Sequence, residues 1–215
     1  MSTLTVRVSS TTLLALALAS VACNNNPTAG KTQAKTSEAV TPAPAAAPSE
    51  NTQTIPLTKA SGKVGFVGAK VTDKHEGSFA DYSGSITLVD GAVEKSSVKV
   101  TIDIKSLEIE PDKLKGHLLS PDLFDAEKFP TSEFASTKIA PADGGKYEVT
   151  GNLTLHGVTK SISFPAEIAV SPSAVTVKAE FGINRKDFGI VYPGMPDDLI
   201  KDDVLIQLDL KADRS

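Results

Sequence analysis

The chain has 215 residues and a formal net charge of −4, with 22 Lys and Arg scattered among 26 Asp and Glu. No basic stripe is present, which argues against a nucleic-acid partner. The single cysteine rules out an intrachain disulfide, so packing alone has to hold the fold, even in an oxidising compartment.

Arg7 opens a mildly basic start, and residues 11–21 read TTLLALALASV before Ala22 and Cys23. That apolar run of about 12 residues falls short of the roughly 20 that a membrane-spanning helix needs, and predicts a secretory signal over residues 1–22. Ser20-Val21-Ala22-Cys23 resembles a bacterial lipobox, with serine where leucine is usual. In such a motif the cysteine thiol receives a diacylglyceryl group and becomes the new N-terminus. An ordinary signal peptide is the competing reading, but a cleavage edge needs no cysteine and the chain has none elsewhere. Residues 23–54 are poor in large apolar side chains and rich in Pro, Ala, Thr, Ser and Asn. They cannot bury enough surface to offset ordering entropy, so a disordered, lipid-anchored tether is expected, with a reach on the order of 30 Å.

Residues 55–213 leave about 160 residues, enough for one domain with a sizeable core. Here the dominant period is two. Three weaker runs fall at residues 63–71, 85–89 and 133–139. Five stronger ones have apolar rows at Val98 to Ile104, Val149 to Leu155, Ile162 to Val170, Val175 to Ile183 and Val204 to Leu210. Each reads as a half-buried strand. Asp90-Gly91, Asp143-Gly144-Gly145, His156-Gly157 and Ser171-Pro172-Ser173 supply turns between them. One segment breaks the pattern. Residues 111–129 carry Leu114, Leu118, Leu119, Leu123 and Phe124 near helical spacing, behind Pro111 and Asp112, which can start a helix.

These elements predict an all-β fold: an eight-stranded antiparallel, lipocalin-like barrel with one short α-helix insertion. Alternation alone would also fit an outer-membrane barrel. The absence of Trp girdles, the redundancy of a lipid anchor and the helical insert favour the soluble form with its apolar face inward. An eight-stranded interior is either filled by side chains or holds one slender ligand. Gly151, Ala166 and Ala179 stand at inward positions where bulk would be expected, which fits an unfilled lumen; small residues accommodating large neighbours fit a solid core equally well.

Three blocks, FDAEKFPTSEF (124–134), LTLHGVTK (153–160) and INRKDFGI (183–190), in this order and at these separations, closely resemble the YceI-like family of bacterial envelope proteins. The resemblance covers residues 55–212. It implies a barrel that binds an amphiphilic long-chain molecule, a polyisoprenoid or quinone-like lipid, without catalysis. By motif it carries over Phe124, Phe129, Phe134, His156-Gly157, Asn184-Arg185 and Asp187-Phe188-Gly189. The chain departs from the family's common pattern at residues 64–79, where His75 falls in an expected loop, and in the long acidic stretch 193–203.

The expected ligand-binding residues are Phe66, Val100, Ile102, Leu118, Phe124, Phe129, Phe134, Leu153, Leu155, Phe164, Ile168, Phe181, Ile183 and Phe188, with Cys23 the lipidation site. No resident cofactor or metal is expected beyond a bound isoprenoid or quinone-like lipid: His75, His117 and His156 are widely separated, without metal-ligand spacing. His156 is expected to order the turn it begins, and Arg185 to pair locally with Asp187. Asp122, Asp125 and Glu127 read as ordinary acids beside a helix end. No serine sits in a GxSxG setting, and no nucleophile, base or cofactor loop supports an enzyme. The sequence therefore predicts sequestration or transport of an amphiphile in the periplasm, from an anchor in the outer membrane, with a homodimer left open. The alternative is a stress-protective or interaction module with a filled barrel.

Overall fold

A computed structural model describes residues 25–41 and 51–214. The expected signal over residues 1–22 and the lipidation site Cys23 lie outside the described residues. The strands are β1 (Thr32–Gln33), β2 (Lys35–Glu38), β3 (Thr52–Thr58), β4 (Gly62–Ala69), β5 (Lys74–Phe79), β6 (Tyr82–Val89), β7 (Ala92–Asp103) and β8 (Leu107–Ile109). Helix α1 (Asp112–Leu119) follows. After it come β9 (Thr131–Pro141), β10 (Tyr147–Leu155), β11 (Val158–Val170), β12 (Ala174–Asn184), β13 (Gly194–Met195), β14 (Asp198–Leu199) and β15 (Asp203–Asp213).

One sheet runs in the order β3-β6-β7-β9-β10-β11-β12-β15-β4-β5-β8. Consecutive antiparallel pairing from β9 to β12 needs only tight turns, and the sequence supplies them. His156 and Gly157, at φ +51° and +73°, form a two-residue loop between the paired Leu155 and Val158. Asp90 and Gly91, at φ +53° and +70°, do the same between Val89 and Ala92. Two left-handed residues match the right-handed twist of the flanking strands. Curling comes from β15 pairing back onto β4. The consecutive strands β3 and β4 then sit near opposite ends of the sheet path, and the 3-10 turn Lys59–Ser61 carries the chain across the gap. The Tyr82 hydroxyl spans the same gap, donating to the Gly62 carbonyl at 2.8 Å.

All eight expected strands are present as β4, β6, β7, β9, β10, β11, β12 and β15. The sequence reading missed β3, β5 and β8 for identifiable reasons. Pro56 interrupts β3, but β3 ends the sheet path, where a missing N–H costs no ladder bond. In β5, KHEGSF shows no alternation, and β8 has three residues. His75 is therefore in a strand, opposite Gly68 of β4, and not in a loop.

The largest departure lies within residues 23–54, expected to be a free tether, in the described part from 25 to 41. Strand β1 pairs parallel with β12 (Thr32 with Phe181) and β2 pairs antiparallel with β11 (Thr36 with Ile162). The β11–β12 ladder holds from Val170–Val175 to Glu167–Lys178. Beyond it the two strands part, and the N-terminal segment bonds to both. Compositional reasoning asked whether this segment could bury apolar surface. It does not need to, because unpaired backbone groups on parting strands accept any chain that offers N–H and C=O groups.

The predicted helix begins at Asp112 behind Pro111 and ends at Leu119, shorter than the 111–129 window. The remainder is turn, with Phe124 N–H bonded to the Leu118 carbonyl at 2.9 Å and Asp125 N–H to that of Ser120 at 2.9 Å. Leu114, Leu118 and Leu119 pack on Phe66, Leu107 and Ile109, so the helix covers one end of the curled sheet.

Candidate functional site: an apolar cavity with a polar mouth

The inward rows of the strands do not meet. They enclose one cavity of about 780 Å³, within the range of about 300–1,000 Å³ typical of small-molecule sites. Under α1, Phe66, Phe79 and Phe124 form a triangle with ring centroids 5.7 to 6.4 Å apart. The middle is walled by Phe134, Phe164, Phe181 and Ile183, and the cavity extends to Leu57, Leu88 and Val175. Phe164 and Phe181 stack at 4.0 Å, just past the point where β11 and β12 separate.

Twelve of the expected residues line this cavity: Phe66, Val100, Ile102, Leu118, Phe124, Phe134, Leu153, Leu155, Phe164, Ile168, Phe181 and Ile183. Phe129 and Phe188 do not. The Phe129 ring packs edge-on against His156, centroids 4.7 Å apart, and fills the space where Gly157 would carry a Cβ. Phe188 is wholly buried in the 3-10 turn Arg185–Phe188, and its carbonyl lies 3.3 Å from His156 Nδ1. The three sequence blocks thus converge on one packed knot around the β10–β11 turn. His156 orders that turn, as expected.

The small residues have a different role from the one proposed for an open lumen. A Cβ on Gly151 would meet the Phe134 ring and the Ala135 carbonyl. Ala166 and Ala179 are buried in the main core cluster with Phe164 and Phe181 and lie off the cavity wall. Small residues seat large aromatic neighbours here, and the hollow lies elsewhere.

Arg185 does not pair with Asp187. Nearly buried, at 4% exposure, it donates to the Ile190 carbonyl (2.7 Å), the Lys201 carbonyl (3.1 Å) and Asp202 Oδ1 (3.2 Å). Burial pulls its pKa down and Asp202 partly opposes this. The residue closes residues 190–202, which hold most of the acidic stretch 193–203, against the end of β12, a structural duty performed on the cavity's edge.

That acidic stretch builds the mouth, which sequence reasoning marked only as a departure from the common pattern of the family it resembles. Asp198 accepts from Lys70 Nζ at 2.6 Å and from the Thr72 hydroxyl and N–H at 3.0 and 3.1 Å. The hydrogen bond from Lys70, then those from Thr72, hold its carboxyl below the ordinary range, while the Lys70 ammonium is raised chiefly by its bond to Asp198. His117 lies 3.2 Å from Asp122 and edge-on to Tyr192 at 5.2 Å; His75 lies 3.7 Å from Asp73. Lys70, His75, His117, Tyr192 and Asp198 all border the cavity. The geometry offers a long apolar channel with a few polar groups at one end, suited to an amphiphile entering tail first. Asp122 answers His117 and Glu127 answers Lys105 at 2.8 Å, so those acids serve local pairing.

The pattern that defines the YceI-like domain matches residues 56–212. A UPF0312 protein of Photorhabdus laumondii is 42% identical over 92 residues, covering 43% of this chain and 47% of the relative. Another, from Pseudomonas putida W619, is 31% identical over 137 residues, covering 61% and 71%. The chain thus spans about half the length of the first of these curated relatives. Among solved structures, BcnA of Burkholderia cenocepacia superposes with a TM-score of 0.63 at 28% identity, over 70% of this chain and 95% of that one. A domain from Saccharophagus degradans, described as polyisoprenoid binding, superposes with a TM-score of 0.60 over 75% and 98%. At 17% identity that likeness speaks for the fold.

Proposed function

Because this chain belongs to the YceI-like family, we propose that it is a non-catalytic carrier that holds one long-chain amphiphile, a polyisoprenoid or quinone-like lipid, inside its curled sheet. The observation that supports this is the continuous cavity of about 780 Å³ with an almost wholly apolar wall. Its shared fold with a polyisoprenoid-binding domain points to the same ligand class. Each enclosed CH2 contributes about 0.8 kcal/mol, so ten carbons give roughly 8 kcal/mol before ordering and association costs. No charged partner is required for that affinity. A filled-barrel interaction module would need this space occupied by side chains.

On this reading Cys23 carries the lipid anchor and the carrier works in the periplasm, facing inward from the outer membrane. Native mass spectrometry of protein purified without detergent tests the carriage. A discrete adduct of a few hundred daltons is expected. A clean apo mass, together with failure to take up an added polyprenol, would refute it.

A further inference from the structure

Among the described residues, the exposed large apolar side chains are Val40, Val71, Val191, Met195 and Leu199. Singly exposed apolar residues are normal and need no explanation. Four of these five, however, gather at the cavity mouth. Val71 N–H donates to the Leu199 carbonyl at 3.0 Å, and Leu199 pairs with Gly194 beside Met195. Met195 itself borders the cavity while 62% exposed. Val191 lies between Ile190 and Tyr192, both of which line the cavity. The apolar wall of the lumen therefore continues outward, past the paired Lys70 and Asp198, onto a rim of exposed apolar side chains.

Two further observations say what covers that rim. Most of the charge set among these side chains is answered within the protein or balanced beside it: Asp198 pairs with Lys70 at 2.6 Å, Asp202 with Lys186 at 2.9 Å and Arg185 at 3.2 Å, and the exposed Asp197 and Lys201 are of opposite sign. A surface of this kind is suited to an uncharged apolar phase. The N-terminal segment also departs from this rim, since the Asn25 side-chain amide donates to the Val71 carbonyl at 2.8 Å. Cys23 precedes Asn25 by two residues.

We propose that the rim is a lipid-docking surface. The barrel rests mouth-down on a bilayer with Val71, Val191, Met195 and Leu199 in the acyl boundary. The amphiphile then passes between membrane and cavity without exposing its tail to water. This rests on the carriage reading above, and an acyl group on Cys23 would insert at the same face.

The chain contains no Trp, so a single substitution creates a unique fluorophore. Met195→Trp and, as a control on an exposed apolar residue outside the rim, held against Asn152 of β10, Val40→Trp are each made in the full chain. Each is mixed with phosphatidylcholine vesicles carrying brominated acyl tails. Position 195 should be quenched at least about threefold more than position 40, and adding Leu199→Asp and Val71→Asp should remove most of the difference. Equal quenching at the two positions, or a difference that survives both aspartates, would overturn the proposal. Native mass spectrometry of the same Met195→Trp protein separates the two readings. An adduct without quenching refutes docking and leaves carriage standing; quenching without an adduct does the reverse.

Discussion

Gly157 shows how one residue can fix the junction of distant parts of the sequence. Its φ of +73° is left-handed, and a Cβ there would collide with the Phe129 ring, which also packs on His156. Gly157→Ala should therefore cost about 2–3 kcal/mol, combining backbone strain with displacement of the ring. It would appear as a lower urea midpoint at unchanged slope; a shift under about 0.5 kcal/mol would mean that Phe129 moves aside freely. The His-Gly turn was readable because left-handed turn chemistry is local. That Phe129 and Phe188 serve this knot was not readable, since an aromatic residue beside an apolar row looks the same whether it faces a lumen or fills a turn. Arg185 illustrates the same limit: its partner Asp202 lies 17 positions away, on a stretch whose path no period encodes.

The N-terminal segment is the element whose stability is least predictable from composition. Few side chains hold it: among the described residues, Pro27 and Thr28 are buried and Ala34 packs on the main core. Backbone pairing is supplemented by the Lys31–Glu180 ion pair, by Lys160–Glu38 at 2.6 Å, and by Asn152, which both accepts from and donates to the backbone of Val40. Gly182 leaves room for the Gln33 side chain, which a Cβ would strike. Gly182→Val should thus detach β1 while β12 remains in its ladder with β15. The expected reading is loss of exchange protection at the Ala34 amide, bonded to the Gly182 carbonyl at 2.8 Å, with protection of Leu205 and Ile206 kept. Acid should act in the same direction. The Glu180 carboxyl is held below its ordinary value by hydrogen bonds from Lys31 and then Gln207. A depressed carboxylate stabilises the folded contact fully above its unfolded pKa of about 4.3, and that contribution fades as pH falls through the lowered folded value. Ala34 protection, corrected for intrinsic exchange, should be flat from neutrality to about pH 5 and fall below about pH 4. Protection unchanged down to pH 3, on the order of one unit below that carboxyl reference, would show that backbone pairing alone holds the segment.

At the scale of the whole molecule, eight of the strands and their inward apolar face were legible because period two persists over eight runs, whereas the remaining strands and the volume left inside were not. Whether facing side chains interdigitate or stand apart depends on the curvature set by β15 closing onto β4, and two residues that suggested emptiness, Ala166 and Ala179, turn out to be packed. Gly68 is where the hollow can be tested. It lines the cavity on β4, and a Cβ there would have no atom within 4 Å. Gly68→Phe should therefore place a ring in open space, leaving thermal stability unchanged or slightly raised while the lipid adduct disappears or shortens. Ala166→Phe forces the same bulk into a filled cluster and should instead lose about 1–3 kcal/mol. A hollow barrel predicts that contrast, since one substitution removes ligand without stability and the other removes stability first. If Gly68→Phe keeps the full adduct, the bound tail lies somewhere other than the channel that the curled sheet encloses.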